Sequence, residues 1–152
     1  MLGVLVICFH FITTKQVCDV NNQINKNKPS ISRTYSYMLS EIIVKISQEY
    51  QISPRKYAAI LMQESAYKLS AVNKSSHDYG IAQINKKTIT AFKFDIDRLT
   101  TDLFYSLNAG AIVLSDFKKR HYKKEKEFYF TRYNSSNTYK RKLYQQLVLR
   151  YY

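Results

Sequence analysis

A mainly helical fold with little or no sheet is what this sequence predicts, and three observations carry that expectation. Apolar residues recur at i, i+3, i+4 and i+7 along most of the chain. Strict alternation of apolar and polar residues is scarce, and Ser, Thr or Asp stands at the head of several periodic stretches, where helices take their caps. The 152 residues and 17.9 kDa leave room for one compact domain, and no internal repeat is evident.

Residues 2–12 are an almost unbroken apolar run, too short for an ordinary transmembrane helix and about the length of a signal-peptide core. No Lys or Arg precedes the run, and Thr13, Thr14, Lys15, Gln16 and Val17 offer no clean small-x-small cleavage site. Residues 1–20 are therefore read as a leader with an unreadable cut site, and no membrane span is expected after its removal. The string Lys15-Gln16-Val17-Cys18 is a poor lipoprotein signal. With Cys8 lost in the leader, Cys18 has no partner and the fold needs no disulfide. Residues 21–32 are polar and poor in large apolar groups, the composition of a flexible linker, so the folded domain is expected over residues 33–152.

The first helix of that domain spans residues 35–50, with Met38, Leu39, Ile42, Ile43 and Ile46 as its core stripe. Ser53-Pro54 opens the second, with Ser as cap and Pro at the first helical position, and it runs to about Lys68. Tyr57, Ile60, Leu61 and Glu64 share one face of it, which puts a carboxylate on the apolar stripe. Burial disfavours the charged form, so the expectation is a raised pKa and an acid able to donate a proton near neutrality. The bland alternative is a Glu64 that reaches solvent or pairs with Lys68 at i+4.

Residues 69–79 read as a loop or short irregular hairpin, residues 80–85 follow it, and a short helical piece runs from Lys86 or Lys87 to Phe92. Asp95-Ile96-Asp97 marks a turn. Thr100, Thr101 or Asp102 caps a long helix to about Lys119, with Leu103, Leu107, Ala111, Leu114 and Phe117 inward and Ala109-Gly110-Ala111 keeping one side small. A further helix over residues 124–132 leads into Tyr133-Asn134-Ser135-Ser136. The last helix covers residues 139–150, with Leu143, Leu147 and Tyr151 as its stripe.

Four strings then fall in a telling order: Glu64-Ser65; Gly80-Ile81-Ala82-Gln83-Ile84-Asn85; Leu107-Asn108-Ala109-Gly110-Ala111-Ile112-Val113-Leu114; and Tyr133-Asn134-Ser135-Ser136, with Tyr139 shortly after. Together they resemble the signature of the lysozyme-like lytic transglycosylases, over nearly the whole folded region. Val113 stands where the family has an aromatic residue, and Ser136 replaces its usual Gly. The resemblance implies a lysozyme-like α+β fold with a substrate cleft and a peptidoglycan partner, and it implies no cofactor. It implies cleavage of the β-1,4 bond between N-acetylmuramic acid and N-acetylglucosamine, with Glu64 as acid and then base and a 1,6-anhydro product. Ser65, Gly80, Ile81, Gln83, Tyr133, Asn134 and Tyr139 would serve as substrate-binding residues. Asn85 reads more simply as a helix cap.

Asp78 keeps a second chemistry open. An aspartate directly before Tyr-Gly also resembles the animal-type lysozyme strand, where it is the second carboxylate, a pairing that is the standard worked case for hydrolysis. The Glu64 to Asp78 spacing is shorter than that pattern, however, and its eight-cysteine framework is absent. Asp78 could equally order its own loop by accepting main-chain hydrogen bonds. His77 reads as a surface residue, and no metal-ligand spacing surrounds it.

A formal net charge of +13 favours an anionic partner, and Lys15 and Asp19 cancel if the leader is lost. Zinc spacings, Gly-rich phosphate loops and aromatic-basic strand signatures are missing, so no specific nucleic-acid partner is expected. The run from Lys118 to Lys124 reads as a solvated helix end. The functional expectations are an exported transglycosylase of the periplasm or cell envelope, serving secretion, conjugation or phage-related machinery; a muramidase using Glu64 and Asp78; or a wall-binding subunit without activity.

Overall fold

The computed structural model describes residues 2–152, with side chains from residue 14 onward. The described residues form helices α1 (Leu2–Asn27), α2 (Arg33–Glu49) and α3 (Pro54–Ser65), then three two-residue strands, β1 (Val72–Asn73), β2 (Asp78–Tyr79) and β3 (Ile84–Asn85). Helices α4 (Lys86–Phe92), α5 (Ile96–Thr101) and α6 (Leu103–Glu125), a 3-10 segment (Lys126–Tyr133) and α7 (Thr138–Leu149) follow. The strands form an antiparallel meander in the order β1-β2-β3, with Tyr79 opposite both Val72 and Ile84. Helices dominate and the sheet is minimal, as the apolar periodicity predicts.

Local chemistry accounts for the boundaries. The Ser53 hydroxyl caps α3 by accepting from the Lys56 amide, and Pro54 takes the first helical position. The helix stops at Ser65 because Ala66 and Tyr67 turn left-handed, at φ of 50° and 63°. Asp102 is the residue that caps α6, accepting from the Tyr105 amide at 2.9 Å. The turn expected at residues 95–97 is the start of α5, capped by Asp95. Helix α6 runs six residues past the expected Lys119, and the helix expected over residues 124–132 is the 3-10 segment.

Leu39, Ile43, Ile46, Tyr57, Ile60, Leu61, Ile81, Leu99, Leu107 and Leu114 are fully buried in one core. Gly110 lets α6 approach closely, since a Cβ there would lie 2.5 Å from the Tyr57 hydroxyl and 2.6 Å from the Ala82 Cβ. Two stripes are rotated relative to expectation. Met38 is exposed, while Ser36 and Ser40 are buried beside Leu39 on α2. On α7 it is Tyr144 and Val148 that are buried, and Leu143 points outward. One residue of rotation separates the two readings of α7, and the partner beneath the helix decides between them.

The expected linker is corrected more substantially. Helix α1 continues to Asn27, and Val17, Val20 and Ile24 are buried against the core at 6%, 0% and 0% exposure. Their i, i+3, i+7 spacing makes an apolar stripe within a polar segment, which an average over composition hides. The apolar run of residues 2–12, on which the leader expectation rests, has its side chains outside the described residues. Among the described residues no helix is long and apolar enough to cross a membrane.

Candidate active site

Glu64 sits on the last turn of α3 at the floor of a cleft of about 510 Å3, bounded by the small sheet, α6, the 3-10 segment and the start of α7. Asp78, Gln83, Val113, Phe117, Tyr133 and Asn134 line the same cleft, with Asn73, Thr88 and Lys140 toward its edges. A wider groove of about 1000 Å3 between α1 and α2 lies apart from Glu64.

The Glu64 carboxyl accepts a hydrogen bond from the Tyr144 hydroxyl on α7, at 2.5 Å from Oε1. Burial raises the Glu64 pKa to about 7, outweighing the Tyr144 bond, which lowers it, and the negative charge of Asp78 raises it further. Glu64 therefore keeps its proton to a higher pH than a free carboxyl, the direction that its place on the apolar face predicts. Tyr144 is fully enclosed, and burial followed by the Glu64 charge holds its own proton firmly in place. Tyr144 lies outside the stripe that the sequence predicts for α7, although the i, i+4 pair Tyr144 and Val148 stands beside it.

The 80s segment is fixed from behind. Ser65 donates from its hydroxyl to the Ile81 carbonyl at 2.7 Å, tying the end of α3 to this segment. Gly80 has φ of 78°, and a Cβ there would overlap the Leu99 carbonyl oxygen and the Ser106 hydroxyl, so no other residue fits. Gln83, itself left-handed at φ of 46°, donates its amide to the Ala71 and Gly80 carbonyls at 3.1 and 2.9 Å. A non-glycine residue there costs about 1–3 kcal/mol, and the hairpin bonds hold it in place. Tyr133 donates to the Ala82 carbonyl at 2.8 Å and packs edge-on against Phe117.

Both oxygens of Asp78 are engaged by neighbours. Oδ1 accepts from the Asn85 amide at 2.9 Å, and Oδ2 accepts from the Ser76 hydroxyl. Asn85 also caps α4, as expected, by accepting from the Lys87 amide. Behind the cleft, Glu125 is held by Arg132 on one oxygen and Arg141 on the other, at 2.5 Å each, which binds the 3-10 segment to α7.

The structure therefore brings together Glu64, Asp78, Gln83, Tyr133 and Asn134. The remaining expected substrate-binding residues are not part of this lining. Gly80 and Ile81 are buried by close packing of the segment on α3, α5 and α6, while Ser65 is partly exposed and turns its hydroxyl to the Ile81 carbonyl. Tyr139 is 77% exposed and outside the cleft lining, because α7 turns Tyr144 inward instead. Among the described residues no cluster of His, Cys, Asp or Glu is arranged to hold a metal ion.

Comparison with curated proteins and with solved structures finds no match. A family model described as Transglycosylase SLT domain matches residues 41–146, well over half of the chain, and takes in Glu64, the strand segment, α6 and Tyr144. With a buried acid in a cleft on a mainly helical scaffold and this match along most of its length, the chain belongs to the transglycosylase SLT domain family, peptidoglycan enzymes of the lytic transglycosylase type.

Proposed function

We propose that this protein cleaves the β-1,4 bond between N-acetylmuramic acid and N-acetylglucosamine and leaves a 1,6-anhydro-muramic end. One observation carries the reading: of the two carboxyls in the cleft, Glu64 is the one that burial raises to a pKa of about 7, with its oxygen bonded to Tyr144, while both oxygens of Asp78 are engaged by Asn85 and Ser76. Glu64 donates its proton to the glycosidic oxygen as the bond to muramic C1 breaks. The resulting carboxylate, steadied by the Tyr144 hydroxyl, takes the proton of the muramic C6 hydroxyl while O6 closes on C1. The substrate supplies the nucleophile, so one carboxylate serves both steps. Gln83, Asn134 and Asn73 offer polar groups along the cleft for the sugars.

A hydrolytic muramidase is the second reading, supported by the presence of Asp78 in the same cleft. The engagement of both Asp78 oxygens by Asn85 and Ser76 favours a hairpin-ordering role over attack on C1. Export to the periplasm or cell envelope, and service to a secretion, conjugation or phage-related apparatus, follow by family analogy. The test is lysis of purified sacculi by Glu64→Gln, which keeps the shape and loses the proton. A general acid contributes about 10²- to 10⁴-fold, so lysis should disappear. Lysis at the wild-type rate would refute the assignment.

A further inference from the structure

Helix α1 lies before the family match, which begins at residue 41, yet it is bonded to the helices that hold the acid. Gln23 is buried in the face that otherwise presents Val17, Val20 and Ile24. Its amide nitrogen donates to the Arg55 carbonyl on the first turn of α3, at 2.9 Å, and to the Tyr151 carbonyl just past α7, at 2.6 Å. Asn27, one turn on, donates to the same Tyr151 carbonyl at 2.8 Å. Lys28 reaches the other end of α3, donating to the Ala66 carbonyl at 3.0 Å, two residues beyond Glu64. The end of α1 thus grips α3 at both ends and α7 at its exit.

An apolar side chain at position 23 would serve packing alone, because apolar contact tolerates sliding. An amide with two directed bonds fixes the axial register of one helix against another, and breaking either bond leaves a buried polar group unsatisfied. The register at stake is that of α3, carrying Glu64, against α7, carrying Tyr144. We propose that α1 from about Val17 onward is a retained part of the working enzyme, and that Gln23 is a positioning residue that holds Tyr144 against Glu64. This rests on the reading of Glu64 as the acid. It also confines any leader cleavage to a point before Val17, since a cut after Val20 would remove two buried residues of the core-facing stripe.

The test uses the full chain with Gln23→Leu, which keeps apolar volume and removes both donors. Expected are a kcat lowered about tenfold with KM little changed, and a basic limb of the pH–rate profile moved upward, as in Tyr144→Phe. Tyr144, Asp78 and Tyr133 are the titratable groups that act on Glu64, and Tyr144 alone is displaced here. Gln23→Leu combined with Tyr144→Phe should be no slower than Tyr144→Phe alone, because both remove one interaction. Additive losses, or a folded Gln23→Leu with wild-type kcat and pH profile, overturn the proposal. If Gln23→Leu does not fold, Asn27→Leu carries the same comparison at smaller amplitude. N-terminal sequencing of the enzyme recovered from cells should show residue 17 present, and a fully active product starting after Val20 overturns retention. A wild-type rate for Gln23→Leu beside an inactive Glu64→Gln defeats the clamp alone, whereas activity in Glu64→Gln defeats the reading beneath it.

Discussion

Replacing Glu64 by Gln should make the protein more stable at alkaline pH while removing its activity. Burial raises the Glu64 pKa from 4.5 to about 7, so the folded state holds a proton that the unfolded chain has already released between those values. The stabilisation from the neutral acid is full below about pH 4.5 and is lost as pH rises through about 7. At about 1.36 kcal/mol per pH unit, the loss comes to about 3 kcal/mol at pH 8. The cleft opening lets water reach the carboxyl, which makes that figure a ceiling. Gln carries no charge to desolvate and can still accept the Tyr144 hydrogen bond. Urea unfolding of the two proteins at pH 5 and pH 8 measures the difference. The gap in favour of Glu64→Gln should open by up to about 2.5 kcal/mol between the two, because part of the loss has already occurred at pH 5, roughly 5–10 °C in Tm for a chain of this size. A gap that does not change with pH would refute the claim that the acid is held desolvated.

Three further outcomes follow from the same geometry. Wild-type activity should fall on the alkaline side of about pH 7, where Glu64 loses its proton; Tyr144→Phe removes a bond to a charged group worth about 1.5–3 kcal/mol, so that limb should move upward by about one to two pH units with a lower maximal rate, and an unmoved limb would show that the bond does not act on the acid. Asp78→Asn should keep activity within about tenfold, since its oxygen still accepts from Asn85 and its amide nitrogen can donate to a reoriented Ser76 hydroxyl, with circular dichroism confirming the fold; a folded variant slower by several orders of magnitude would make Asp78 part of the chemistry. Binding of Glu64→Gln protein to sacculi should weaken between about 0.05 and 0.5 M salt, because a net charge of +13 acts through screened attraction, and binding unaffected by salt would place affinity in the cleft alone.

What could be read from the sequence was local. The Ser53-Pro54 start and the placement of Glu64 on the inner face of α3 rest on spacing within a single helix, and the structure has both. What could not be read depends on partners distant in the chain. Whether α7 turns Leu143 or Tyr144 inward is settled by Glu64, eighty residues earlier, and by Phe130 beneath the helix. Residues 21–27 look like linker by composition, and their order comes from Arg55, Tyr151 and the core beneath Val20 and Ile24. The burial of Gly80 and Ile81 could not be read from their motif, since a motif does not say which of its residues keep free surface.

The mass of the fragments released from purified sacculi tests the single-carboxylate chemistry most directly. Closure of the muramic C6 oxygen on C1 consumes no water, so the products should carry 1,6-anhydro ends, lighter by one water than reducing ends. Reducing-end products, released by wild-type protein and absent with folded Asp78→Asn, would contradict it and make Glu64 and Asp78 a hydrolytic pair.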